Sequence, residues 1–136
     1  MINQKVCVIG DNCIDIYPES GKTYVGGNGI NSAVALKRNG IDTGYVGVIG
    51  NDVEGELVIA ALEKENIDCS RVSKLNKKTA WTKIELYKGD RVFVDESLGV
   101  QLKFDLFDED YDYLSNFTFV HHTIFSNWPT AVSDGI

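Results

Sequence analysis

Blocks of apolar residues separated by polar turns predict a series of strands and helices along this chain. Residues 5–10, KVCVIG, form a β-branched run that ends in glycine and predicts a buried strand. CIDIYP and KTYVGG predict two short extended segments around a turn at Ser20-Gly21-Lys22. Residues 43–50, TGYVGVIG, predict a second central strand.

Two helices are predicted from apolar residues at helical spacing. The first begins at Asn28 and is closed by Asn39-Gly40 as its C-terminal cap. Its apolar stripe consists of Ile30, Ala33, Val34 and Leu36. The second is predicted to begin with a capping box of Asn51 and Glu54 and to run to about Asn66. Its stripe consists of Leu57, Val58, Ala61 and Leu62.

The segment from Thr79 to Glu96 predicts a β-hairpin with a two-residue, type II′ turn at Gly89-Asp90. That turn predicts the cross-strand pairs Leu86–Phe93, Ile84–Asp95, Tyr87–Val92 and Glu85–Val94. Each face then mixes apolar and charged side chains, which indicates a ribbon that projects from the body of the protein.

A short acidic helix over residues 108–114 and a buried strand, FTFVHHTIF, complete the predicted order. Helices alternating with strands that lack polar alternation predict an α/β fold with a mostly parallel sheet. A crossover helix is expected after the last strand, but the chain ends at Ile136. We therefore interpret the sequence as incomplete at its C-terminus.

Composition narrows the class of protein without identifying a function. A chain of 136 residues with 43% hydrophobic and 24% charged residues is typical of one soluble globular domain. No apolar run approaches the ~20 residues of a membrane span. Three cysteines without a C-x-x-C pair indicate reduced thiols and a cytoplasmic location. A net charge of -7 without a basic stripe argues against nucleic acid or an anionic membrane as partner.

The glycine-rich stretch GGNGINSA, residues 26–33, directly precedes the first predicted helix. It nearly matches the dinucleotide fingerprint G-x-G-x-x-G/A, but serine occupies the last position, and no P-loop motif is present. One interpretation is a connection that turns sharply and packs closely. The other is a ligand site, because glycine allows backbone N–H groups to approach a ligand and the helix start offers unpaired N–H groups.

Spacing around this stretch resembles the first signature of the ribokinase-like carbohydrate kinases, the PfkB group. After GGNGINSA, six residues lead to Gly40 and nine more to Gly50. VIGDNCIDIYP is similar to the opening strand of that family, and GVIGNDVEGE is similar to its Gly-x-Asp-x-x-Gly stretch. GDNCIDIYP, GGNGIN and GDRVF most resemble the fructoselysine 6-kinase branch.

The resemblance implies a ribokinase-like sheet with helices on both faces and a projecting hairpin lid. It implies that residues 1–136 are the N-terminal part of one kinase domain, with lid segments at about 13–25 and 79–98. The implied reaction transfers the γ-phosphoryl group of ATP, with Mg²⁺, to a primary hydroxyl of fructoselysine or a related fructosamine. The family's catalytic aspartate belongs to a Gly-Ala-Gly-Asp motif that residues 1–136 lack. We therefore expect no catalytic or nucleotide-binding residues in this chain, and no activity from it alone.

The resemblance assigns sugar binding to Asp15, Gly26, Gly27 and Asn31. Ionised Asp15 suits two adjacent hydroxyls, since charge-assisted hydrogen bonds contribute ~1.5–3 kcal/mol each. An asparagine such as Asn31 both donates and accepts. The alternatives are a turn or capping aspartate at Asp15 and a solvent-facing helix residue at Asn31.

Arg91 and Asp95, predicted on one face of the ribbon, are further candidates for the charged part of an Amadori substrate. The alternative is that they are solvated charges at the edge of the lid. His121 and His122 are adjacent on a strand, so their side chains point to opposite faces and predict no joint metal site.

Other functions remain open at the level of sequence. A fructokinase, ribokinase or nucleoside kinase would place another sugar between the same polar groups. A non-catalytic Rossmann-like binding module, complete as it stands, is the alternative from a different class. A homodimer formed through the lid ribbon is a possible assembly.

Overall fold

A parallel four-stranded sheet forms the body of the protein in a computed structural model that describes residues 3–123. Its strands are β1 (Lys5–Ile9), β4 (Asp42–Gly50), β5 (Asp68–Leu75) and β8 (Phe119–His122), in the order β5-β4-β1-β8. The helices are α1 (Asn28–Arg38), α2 (Val53–Lys64) and α3 (Asp108–Leu114), with a 3₁₀ helix at Gly99–Lys103. The predicted mostly parallel α/β sheet is confirmed. The last predicted strand beyond Thr123, and Ile136, lie outside the described residues.

Both faces of this sheet are covered by other elements. Alternate residues of β1 and β4 point to opposite faces, so each strand contributes side chains to both. On one face, Val8 and Tyr45 pack with Ile30 and Ala33 of α1 and with Val58 and Leu62 of α2. On the other face, Cys7 and Val46 pack with Val100 and Phe104 of the 3₁₀ region and with Leu114 of α3. The core residues of β1 and β4 are 0–1% exposed, as expected of strands without polar alternation. The carboxyl ends of β1 and β4 are therefore held firmly.

A second four-stranded sheet, with the order β3-β2-β6-β7, is formed by the two remaining strand pairs. Its strands are β2 (Cys13–Tyr17), β3 (Lys22–Gly26), β6 (Trp81–Tyr87) and β7 (Asp90–Ser97). β2 pairs with β3 antiparallel and with β6 parallel, and β6 pairs with β7 antiparallel. Segments far apart in sequence are thus joined into one layer beside the carboxyl ends of β1 and β4.

The predicted turn of the ribbon β6–β7 is wrong by one residue. Tyr87 pairs with Asp90, so the two turn residues are Lys88 and Gly89, with φ of 50° and 83°. Positive φ at both central positions is the type I′ geometry, whose twist suits a hairpin and which commonly has glycine second. The type II′ prediction had placed glycine first.

The cross-strand pairs shift with the turn and with a register irregularity between Lys83 and Ile84. The observed pairs include Ile84–Phe93, Glu85–Val92, Leu86–Arg91 and Lys83–Asp95. Partners share a face, and residues an odd number apart on a strand point to opposite faces. Because Leu86 and Lys83 are three apart, Arg91 and Asp95 lie on opposite faces of the ribbon. Their prediction on one face is wrong.

The N-terminal cap of α2 is Asp52, not the predicted Asn51. Oδ1 of Asp52 accepts from the amide of Gly55 at 2.9 Å and from the hydroxyl of Thr79 at 2.6 Å. Oδ2 accepts from the amide of Thr79 at 2.8 Å. Asn51 lacks that second partner, because its side chain lies one residue too early to reach Thr79. The cap thus also fixes the chain just before β6.

The buried face of α2 differs in part from the predicted stripe. Val58 and Leu62 are buried as expected, but Leu57 is 43% exposed. Gly55, which was not part of the predicted stripe, is also buried. The helix ends at Lys64, and Asn66 adopts a left-handed φ of 56° just after it. No described helix combines the length and apolar character required to cross a membrane.

Replacing Asp52 by alanine is expected to lower the free energy of unfolding by about 1–2 kcal/mol at neutral pH. Partial burial by itself would raise the pKa of Asp52, but the bonds from Thr79 and Gly55 outweigh it and lower the pKa below its ordinary 3.8. A lowered folded-state pKa stabilises the fold above the unfolded value and loses that contribution as pH falls through the folded value.

Urea unfolding between pH 2 and pH 7 measures this effect. Asp52→Asn is the matched control, since it retains a capping oxygen but removes the charge. We expect it to be less destabilised than Asp52→Ala at pH 7, because one capping oxygen stays but Nδ2 replaces the oxygen that accepts from the Thr79 amide. We also expect it to lose part of the acid dependence. Equal acid dependence in all three proteins would contradict the role assigned to Asp52.

Candidate functional site

The candidate site lies where β1 ends and α1 begins. Ligands of open α/β sheets bind at the carboxyl ends of the strands, and this edge carries Gly10, Asp11 and Asn12 directly after β1. A Cβ atom added to Gly29 would lie 2.6 Å from the Cα and carbonyl carbon of Gly10. Backbone therefore packs directly on backbone here, which fixes the start of α1 against the end of β1.

Asp11 occupies the N-terminus of α1. Its carboxylate accepts from the amides of Asn28 at 3.0 Å and Gly29 at 3.1 Å, and its carbonyl oxygen accepts from the amide of Ile30 at 3.2 Å. Oδ1 also accepts from the hydroxyl of Thr123 at 2.8 Å. The expectation that the helix start offers free N–H groups is wrong for these three amides, because the carboxylate of Asp11 satisfies two of them and its carbonyl oxygen satisfies the third.

Sequence reasoning missed Asp11, although a signal existed. Asp11 follows Gly10, the first residue after β1. A carboxylate at the end of a strand is well placed to meet the positive end of a helix that packs against that strand. The partner amide of Asn28 is 17 residues away, which is beyond the reach of a local capping pattern.

Gly27 allows a second close approach of the glycine stretch. Its φ is 106°, and an added Cβ would lie 2.7 Å from Asn12 Cα and Asp11 O. L-residues other than glycine rarely adopt that φ. The interpretation of this stretch as a sharply turning, closely packed connection is thus confirmed for Gly27 and Gly29.

Gly26 allows the carboxylate of Asp15 to lie against the backbone. An added Cβ at Gly26 would lie 2.6 Å from Asp15 Oδ2 and 3.3 Å from Oδ1. Asp15 is half-buried, and the thiol of Cys13 donates to its Oδ1 at 3.4 Å. Within residues 3–123, that weak thiol is its one hydrogen-bond donor. The structure therefore brings together Asp15 and Gly26, and leaves most acceptor capacity of the carboxylate free.

The Cys13 thiol stays protonated in this environment. Burial raises its pKa to about 12, and the neighbouring carboxylate of Asp15 adds to the shift. A protonated thiol is a weak donor and a poor nucleophile. Cys13 therefore supports the position of Asp15 and has no reactive character of its own.

Asn31 lies on the first turn of α1 and is exposed. Its amide donates to Gly27 O at 3.0 Å, whereas its side chain has no hydrogen-bond partner in the described part of the chain. No hydrogen bond among those residues joins it to Asp15 or Gly26. The backbone of the glycine stretch places Asn31 one helical turn beyond Gly27.

Arg91 and Asp95 lie on the exposed ribbon. Oδ1 of Asp95 accepts from the adjacent amide of Glu96 at 2.9 Å, and neither residue forms an ion pair within residues 3–123. The structure does not bring these two residues together with Asp15. Their solvated environment fits the alternative given for them from the sequence.

A buried polar network lies beneath this site. Asn12 is fully buried, and its Nδ2 donates to the hydroxyl of Tyr45 at 3.0 Å and to Val48 O at 2.9 Å. Nε2 of Gln101, in the 3₁₀ helix after β7, donates to Asn12 O and Val48 O at 3.2 Å. Tyr45 donates to Gly10 O at 2.6 Å. The network attaches the end of the ribbon to β4.

Metal binding receives no support from a residue cluster in the described chain. Within residues 3–123, no group of three or more His, Cys, Asp and Glu side chains is placed to hold a metal ion.

Three kinds of comparison place the chain among known proteins. Residues 3–131 match the model of the family described as pfkB family carbohydrate kinase. The chain is 39% identical over 122 residues to fructoselysine 6-kinase from Escherichia coli (strain K12), covering 90% of this chain and 47% of the relative. It is 28% identical over 126 residues to a fructosamine kinase from Bacillus subtilis (strain 168), covering 90% and 44%. The chain thus spans about half the length of these curated relatives.

Solved structures show the same fold. Ribokinase of Arabidopsis thaliana, complexed with ribose and ATP, superposes with a TM-score of 0.82 at 21% identity, over 96% of this chain and 48% of the other. Ribokinase from Thermotoga maritima superposes with a TM-score of 0.72 at 24% identity, over 86% and 44%. At these identities the likeness concerns the fold alone.

Proposed function

We propose, since this chain belongs to the pfkB family of carbohydrate kinases, that it is the sugar-binding part of an ATP-dependent fructoselysine or fructosamine kinase. The observation that carries the proposal is the Asp15 carboxylate, which lies against Gly26 with most of its acceptor capacity unused. Such a carboxylate beside bare backbone suits two neighbouring hydroxyls of one sugar.

The choice of substrate within the family rests on similarity. By name, the two relatives described above are a fructoselysine 6-kinase and a fructosamine kinase. The stretches GDNCIDIYP, GGNGIN and GDRVF carry the resemblance, and they include Asp15, Gly26 and Arg91.

In the proposed mechanism, this chain binds and orients the sugar. Ionised Asp15 accepts hydrogen bonds from adjacent hydroxyls, and Asn31 contributes a donor and an acceptor from the start of α1. The second sheet acts as the lid, over about residues 13–25 and 79–98, and excludes water so that a sugar hydroxyl is the acceptor. When bound, ATP would supply the phosphoryl group and Mg²⁺ would neutralise part of its negative charge.

An ATP-consumption assay on the complete gene product tests the proposal. Fructoselysine, fructose, ribose and adenosine are compared at equal concentrations. We expect fructoselysine to give the highest kcat/KM. Preference for one of the other three would replace the substrate assignment, and no turnover with any of them would favour a non-catalytic binding module.

A homodimer through the ribbon stays a prediction. Apolar side chains on the described ribbon are exposed, among them Leu86, Tyr87, Val92, Phe93 and Val94, and Phe93 is 66% exposed. Exposed apolar patches of this kind mark interaction surfaces. Sedimentation equilibrium is expected to give a dimer mass that Phe93→Ser shifts toward the monomer. A monomeric native protein would contradict the prediction.

A further inference from the structure

A cavity of about 190 Å³ lies at the base of the ribbon, next to the proposed sugar site. It is partly open to solvent and is lined by the residues after β1, the first residues of β6, the end of β7 and the 3₁₀ helix. This volume exceeds the ~30 Å³ that one water occupies in the liquid several-fold. The cavity therefore accommodates more than a single structural water.

Two contacts connect this cavity to Asp15. Cys13 lines the cavity, and its thiol donates to Asp15 Oδ1 at 3.4 Å. Thr82 also lines the cavity and is the β6 partner of Asp15 in the second sheet. A substituent on a sugar held by Asp15 thus has a short path into the cavity.

The lining of the cavity is rich in hydrogen-bond acceptors and carries negative charge. It includes the acidic residues Asp11 and Glu96 and the hydroxyl-bearing Ser97, and no lysine, arginine or histidine among the described residues. Glu96 is exposed to solvent. The Asp11 carboxylate is engaged by the start of α1. The Glu96 carboxylate has no hydrogen bond or ion pair within residues 3–123, so its charge is uncompensated there.

We propose that this cavity receives the protonated amine that joins the sugar to its amino-acid part in a fructosamine, with Glu96 as its counter-ion. This inference rests on the proposed function and makes it more specific. A secondary ammonium has two N–H donors and a positive charge, which match a lining of acceptors without a cation. Closure of the ribbon on the substrate removes water from Glu96 and strengthens the pairing.

Calorimetric titration of the complete gene product tests this assignment with two ligands. One is fructoselysine, and the other is its ether analogue, in which oxygen replaces the bridging nitrogen. The native protein is expected to bind fructoselysine about tenfold more tightly than the ether, as one charge-assisted hydrogen bond contributes. Glu96→Gln is expected to reduce that ratio to about one, and Glu96→Asp to keep part of it.

Glu85→Gln is the matched control, because Glu85 is an exposed carboxylate of the same ribbon outside the cavity lining. It is expected to leave the ratio unchanged. If Glu96→Gln leaves the ratio of the two affinities unchanged, whether or not both ligands bind more weakly, the inference is overturned while the kinase proposal stays intact. Binding of neither ligand to the native protein would overturn both, so the two failures are distinguishable.

Discussion

Replacing Asp15 by asparagine in the complete gene product is expected to lower kcat/KM for its sugar by about a hundredfold or more. The carboxylate lies against Gly26 and has one weak donor, the Cys13 thiol, within residues 3–123. Two charge-assisted hydrogen bonds to sugar hydroxyls contribute about 3–6 kcal/mol together. Asparagine offers one neutral acceptor, and its amide nitrogen donates where the sugar also donates.

Steady-state kinetics and thermal unfolding, measured side by side, separate a binding defect from misfolding. Asp42→Asn is the control, because Asp42 begins β4 at the end of the sheet away from the proposed site. Within residues 3–123, its carboxylate forms one exposed ion pair, with Lys5 at 3.8 Å. Such a pair contributes at most about 1 kcal/mol. A change of less than about threefold for Asp15→Asn would refute the proposed sugar site.

Replacing Gly29 by alanine is expected to destabilise the protein by about 3 kcal/mol. Helix propensity alone predicts the opposite sign, a gain of about 1 kcal/mol. The added Cβ would lie 2.6 Å from two backbone atoms of Gly10 and 2.8 Å from the amide nitrogen of Asp11. Backbone on both sides must separate to accept it, which also lengthens the bonds from Asp11 to the start of α1.

Urea unfolding gives the free energies for this comparison. Ser32→Ala is the control from the next residues of the same helix, since it raises helix propensity without adding an atom. Its side chain has no hydrogen bond within residues 3–123, and it is expected to be neutral or slightly stabilising. A Gly29→Ala protein as stable as the native one would show that α1 is free to move away from β1.

Local patterns predicted most of the body of the fold. The apolar runs of β1 and β4 and the helical stripe of α1 matched the structure, because each element buries the face that its own residues define. The errors fall where one residue decides the outcome. Asp52 rather than Asn51 caps α2 because Thr79, 27 residues away, donates to it. The ribbon turns at Lys88-Gly89, one residue earlier than predicted, although this places a lysine in the left-handed region, which local sequence patterns disfavour.

The site shows the same division between local and distant contacts. Asp15 and Gly26 meet across β2 and β3, which are adjacent in sequence and pair antiparallel. The helix cap by Asp11 and the cavity with Glu96 and Gln101 depend on segments 17 to 89 residues apart. Periodicity and motif spacing carry no information on such contacts, because they depend on how elements distant in sequence pack together.

Asp15 belongs to the second sheet, whereas Asn31 belongs to a helix packed on the parallel sheet. A ligand bound by both side chains connects two separately hydrogen-bonded layers. Its binding free energy would then oppose any separation of the layers, and the unfolding temperature would keep rising with the logarithm of sugar concentration above the Kd. Under the proposed function, the sugar would therefore hold the two layers together as well as serve as the reactant.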